Sequence, residues 1–162
     1  MDQRTTPHSK HHNTMFDDLN DLYQEVILDH SRVPRNFRRM EGATGESEGH
    51  NPLCGDNVHI YVKLVEGRVQ DITFQGSGCA ISKASASLMT DALRGKTLAE
   101  VRAAFQTVHD LVTTGHGDGG DLGKLAVFAG VHKFPARVKC AILPWHAALA
   151  AVEGKQTAVS TE

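Results

Sequence analysis

Apolar side chains fall along this chain at two periods, and the change from one to the other outlines its elements. From Asp17 to about His30, Leu19, Leu22, Val26 and Ile27 recur at helical spacing, with Asp17 or Asp18 placed as the cap and Pro34 beyond the end. Residues 38–50 are polar and glycine-rich and are expected to be a loop. Val58, Ile60 and Val62 then alternate with His59, Tyr61 and Lys63, the period of a half-buried strand. Glu66-Gly67 makes a turn, and Val69, Ile72 and Phe74 read as the return strand of a hairpin. On the face opposite the apolar set, His59 is expected to be solvated or paired across the strands. The helical period resumes at Ile81, Ala84, Leu88 and Ala92, ended by Gly95, and again at Leu98, Val101, Phe105, Val108 and Val112 behind a Thr97 cap. Leu122 to about Phe134 predicts another short helix. Pro135 suits the first turn of a last one. Pro144 lies inside that last pattern and predicts a kink or restart near Leu143.

This order predicts an α+β fold, a small antiparallel sheet packed against several helices. A chain of 162 residues can bury such a core without staples. One domain is expected over 15–154, after a disordered polar tail at 1–14 that carries His8, His11 and His12, and before a flexible tail at 155–162. The formal charge is −2 and the signs are mixed, without the basic stripe that nucleic-acid binding needs. No apolar run reaches membrane-spanning length and no basic-then-apolar leader is present, so the expected place is the cytoplasm. Three cysteines in that compartment argue against a disulfide framework.

Those three cysteines carry the candidate chemistry. Pro52-Leu53-Cys54-Gly55-Asp56-Asn57 sets a thiol and a carboxylate two residues apart across a glycine that can bend to aim both at one point. A thiolate and a carboxylate are half of a tetrahedral zinc shell, and Cys79 and Cys140 can supply the other half. Cys54, Asp56, Cys79 and Cys140 are therefore expected to converge on one metal. Gly76 and Gly78 let the chain turn into the following helix, which puts Cys79 at a helix N-terminus where the dipole favours thiolate. Arg137 falls three residues before Cys140 on the same helical face, either as a surface charge or as a cation beside the metal. Gly115 to Gly120 spell out G-x-G-x-x-G, but a helix precedes them rather than a strand, so dinucleotide binding is rejected. His116, Asp118 and Asp121 in that stretch are expected to belong to a surface loop.

From Tyr23 to Gly154 the chain resembles the SufU branch of the SufU/IscU (NifU N-terminal-like) iron–sulfur cluster assembly family. The matching residues are Asp29-His30, Pro34-Arg35-Asn36, Cys54-Gly55-Asp56, Gly78-Cys79-Ala80-Ile81-Ser82, Ala84-Ser85-Ala86-Ser87 and Phe134-Pro135-Ala136-Arg137-Val138-Lys139-Cys140. Lys139 stands where IscU-type members carry a histidine, and the long interval between Cys79 and Cys140 is similar to the SufU form. Pro144 departs from the helix-compatible residue expected there. The resemblance implies an IscU/SufU-like fold and a zinc-dependent sulfurtransferase. Such a protein takes persulfide sulfur from a PLP-dependent cysteine desulfurase of SufS type and passes it to the iron–sulfur assembly machinery. It also implies that Cys54 is the sulfur acceptor, freed when a desulfurase histidine replaces it on Zn2+, with Asp56 and Arg137 assisting that exchange. Two rivals use the same ligands: a scaffold that builds a transient [2Fe–2S] cluster, and a structural zinc site that staples the fold.

Overall fold

A computed structural model describes residues 25–116 and 123–154, with the backbone of 159–160. The described elements run α1 (Glu25–Arg32), β1 (Gly45–Asn51), β2 (Asp56–Val65), β3 (Arg68–Ser77), α2 (Ala80–Leu93), α3 (Leu98–Thr114), a 3₁₀ segment (Gly123–Lys133), α4 (Pro135–Val152) and a two-residue strand β4 (Val159–Ser160). The start predicted for the first helix, the tail at 1–14, and Asp118 and Asp121 lie outside the described residues. Strand order is β3-β2-β1-β4, antiparallel between the first three and parallel between β1 and β4. The 155–162 segment expected as a flexible tail thus includes Val159 and Ser160, paired beside Gly49 and His50.

The predicted hairpin is present as β2 and β3. Its two-residue turn puts both Glu66 (φ 53°) and Gly67 (φ 76°) in the left-handed region, the geometry that matches strand twist. Val58, Ile60, Val62, Val69, Ile72 and Phe74 face one way and are buried beneath α2 and α4, so the core lies between sheet and helices. His59 faces the other way. It bonds Glu46 (2.9 Å) and Glu48 (3.3 Å) on β1 and stacks on Tyr61, the cross-strand role expected of it.

Residues 38–50 were expected as a loop, and 45–51 are instead strand β1. Its inward face is built from Gly45, Ser47, Gly49 and Asn51, so no apolar alternation announces it. Tertiary packing requires those small residues. A Cβ on Gly45 would overlap the Ala151 carbonyl oxygen, and one on Gly49 would press on Leu143 at 3.0 Å. Smallness here is what lets α4 lie close against the sheet.

The short helix expected before Phe134 is a 3₁₀ segment. Its buried residues Leu125, Phe128 and Val131 stand three apart, and a three-residue turn keeps them on one line. No restart occurs at Pro144, since α4 is continuous from Pro135 to Val152. Burial of most of the helix outweighs the lost donor and the crowding of a mid-helix proline. The Ser85 hydroxyl supports that turn: it donates to the Ala141 carbonyl (2.6 Å) and accepts from Trp145 Nε1 (3.1 Å).

Candidate metal centre

Three separate elements deliver the predicted residues to one place. Cys54 sits in the turn between β1 and β2, where Gly55 takes φ 75° and reverses the chain in time for Asp56 to open β2. The Cys54 and Gly55 amides both donate to the Asn51 carbonyl, which holds the turn closed. Cys79 is the N-cap of α2, and its sulfur accepts the Ser82 N–H at 3.5 Å. Cys140 is fully buried on α4, five residues after the helix opens at Pro135.

Cys54 Sγ, a carboxylate oxygen of Asp56 and Cys140 Sγ all lie within 4.8 Å of one another, and the two sulfurs are 3.5 Å apart. Cys79 is not one of that close trio but adjoins it. Its thiol pairs with Cys140, and its amide donates to Asp56 Oδ1 at 2.9 Å. That last contact needs a glycine at 78, because a Cβ there would stand 2.5 Å from Asp56 Oδ1. The other carboxylate oxygen, Asp56 Oδ2, is buried without a hydrogen-bond partner. Orphaned buried carboxylate oxygens are rare, because the lost hydration is otherwise uncompensated.

Electrostatics separate the thiols. The Cys140 hydrogen bond, helped by the Ser82 N–H and opposed by burial, pulls the Cys79 pKa down to about 6. Cys140 is pushed far above its ordinary value by its bond to Cys79, by burial, and by Asp56 and Cys54 around it. Such a pocket holds one thiolate readily and resists more negative charge. A bound cation would remove that resistance. Two sulfurs on one tetrahedral zinc at about 2.3 Å stand about 3.8 Å apart, so the observed pair already fits such a site. The residues present therefore suit a thiophilic divalent cation.

Arg137 is half-buried in the first turn of α4, one turn before Cys140. His116 is exposed at the end of α3 and joins no cluster among the described residues. Sequence reasoning passed over Asn51, which is 1% exposed and touches both the Cys54 turn and Cys140. An available signal was its place before Pro52, where an asparagine side chain commonly organises a turn.

A sheet of three antiparallel strands under helices, with cysteines converging from a hairpin turn, a helix start and a late helix, defines a class as well as a site. The family model described as the NifU-like N terminal domain matches residues 22–141, and the chain belongs to that family. The zinc-dependent sulfurtransferase SufU of Bacillus subtilis is 41% identical over 133 residues, covering 80% of this chain and 88% of that protein. The iron-sulfur cluster assembly scaffold protein IscU of Streptococcus pyogenes is 39% identical over 136 residues, covering 83% and 85%. Among solved structures, FiSufU of Fervidobacterium islandicum superposes with a TM-score of 0.74 at 33% identity, over 81% of this chain and 96% of that one.

Proposed function

We propose that this protein is a zinc-dependent sulfurtransferase that accepts persulfide sulfur from a cysteine desulfurase for iron–sulfur cluster assembly. The observation that carries this reading is the buried, unpartnered Asp56 Oδ2 lying among thiols from three elements. Cys54, Asp56, Cys79 and Cys140 would hold the zinc, and bound zinc would keep the thiols deprotonated and shielded from oxidation at neutral pH. Cys54 is the acceptor. It is half-exposed on a turn, whereas Cys140 is buried and Cys79 is built into a helix cap. Its thiolate attacks the outer sulfur of the desulfurase persulfide, a new S–S bond forms at Cys54, and the desulfurase thiolate leaves. No external oxidant or reductant is needed. The partner is a PLP-dependent enzyme of SufS type. Arg137 supplies positive charge near the thiolate as it is freed.

The test measures turnover of a matched desulfurase together with zinc content on the same samples. Cys54→Ser should abolish sulfur acceptance while part of the zinc remains on three residues. Arg137→Ala should keep zinc and slow transfer. Wild-type acceptance by Cys54→Ser would overturn the acceptor assignment. A brown protein carrying iron and sulfide would favour cluster scaffolding on the same ligands, the activity for which the Streptococcus relative is named.

A further inference from the structure

Asn51 ends β1 on its inward face, directly across the ladder from Asp56. Its backbone carbonyl accepts the amides of Cys54 (3.3 Å) and Gly55 (2.9 Å), so the turn that presents Cys54 is folded upon it. Its side chain works in two directions. Leu53 N–H donates to Oδ1 at 3.3 Å, and Nδ2 donates to the Cys140 sulfur at 3.9 Å. A peptide N–H can only donate, so it must meet the amide oxygen, and that turns the NH2 group toward sulfur. One buried side chain therefore ties the Cys54 turn to the thiol on α4.

A neutral carboxamide is matched to this place. It offers a donor to sulfur and an acceptor to the turn without adding charge to a pocket that already gathers thiols and a carboxylate. Aspartate has the same shape but would set a second carboxylate against Cys140. Alanine would remove the acceptor of the Leu53 N–H and the only amide donor that reaches the buried Cys140 sulfur among the described residues.

We propose that Asn51 is the positioning residue that sets the order of thiol reactivity: it pins Cys140 in the site and leaves Cys54, on the turn it braces, as the thiol free to react. The inference deepens the reading of the cluster as a metal and sulfur-acceptor site, and rests on it. It concerns which ligand stays when another leaves. Buried and pinned, Cys140 remains while Cys54 departs.

The experiment has a metal-free arm and a metal arm. Zinc-stripped protein is alkylated with iodoacetamide, and the rate at each cysteine is read by peptide mass spectrometry; zinc affinity is then measured against a chromophoric chelator. In the wild type, the half-exposed Cys54 and Cys79 should label well before the buried Cys140. Asn51→Ala and Asn51→Leu, which both remove the amide donor to sulfur, should each speed labelling of Cys140 by about tenfold or more relative to Cys79, and weaken zinc binding about 10- to 100-fold. An unchanged Cys140 rate overturns the proposal. So does equal acceleration at Cys54, Cys79 and Cys140, the signature of general unfolding. If the wild type binds no zinc while the substitutions still release Cys140 selectively, the metal reading fails and the positioning role stands.

Discussion

Gly78 shows how far a single residue's missing side chain reaches into this site. Its Cβ would stand 2.5 Å from Asp56 Oδ1, the oxygen that accepts the Cys79 amide. Gly78→Ala should therefore displace the Asp56 carboxylate and weaken zinc at least about tenfold, with far-UV circular dichroism unchanged. Gly55→Ala is the contrasting case. Nothing lies within 4 Å of a Cβ there, but φ is 75°, so the expected cost is about 1 kcal/mol of backbone strain. Zinc titration and denaturant unfolding of both variants separate the two effects. A Gly78→Ala protein with wild-type zinc affinity would mean that Asp56 is not a ligand.

At the scale of the element, α4 has to carry both a cysteine of the candidate metal centre and a mid-helix proline. Proline at 144 removes the donor that would reach the Cys140 carbonyl, four residues back. The helix survives because its faces are packed against β1, β2, α2 and α3. Ser85 on α2 supplies polar support to the same stretch through Ala141 and Trp145. Ser85→Ala should leave a buried indole N–H unpartnered and cost about 2 kcal/mol. Denaturant melts would read this as a lower midpoint with an unchanged slope. A change below about 0.5 kcal/mol would assign the helix's continuity to packing alone.

Two predictions belong to the molecule as a whole. The proposed metal ligands come from a turn, a helix cap and a late helix, so a bound ion would tie the sheet to α2 and α4. Chelation with demonstrated zinc loss should lower the melting temperature, and an unchanged melt would count against the shared site. Acid should destabilise the zinc-free fold as well. His30 is 2% exposed, bonded through Nδ1 to Ser87 at 2.7 Å, with Nε2 buried and unpartnered. Burial first, then Arg35 and Lys124, lowers its pKa, while Asp91 and Asp29 oppose them. The folded state therefore prefers neutral His30. Its stabilisation is complete above the unfolded value of about 6.5 and is lost as pH falls below that toward the folded pKa. Melting temperatures of the zinc-free protein from neutral pH toward pH 5 should decline, and His30→Asn should flatten the decline. The slope left in that variant includes His146, which burial and then His109 shift the same way.

Much of this protein is legible in its chain, for reasons of period and chemical type. The hairpin and α3 declare themselves because their buried faces are apolar and repeat at two or at 3.6 residues. The nearness of Cys54, Asp56 and Cys140 was also legible, because thiols and a carboxylate in such a chain point to one shared site. What stayed hidden was encoded in absence or in contact. Strand β1 carries glycine, serine and asparagine on its buried face, and its pairing follows from the space α4 leaves beside the sheet. Continuity through Pro144 and the 3₁₀ winding of 123–133 are likewise tertiary outcomes, since burial overrides local preference. Asn51 reads as one more polar residue until the fold sets it between the Cys54 turn and Cys140. Residue types determined which atoms could do the chemistry. Which of them are pinned and which are free was decided by burial and hydrogen bonding, and these exist only once distant segments have met.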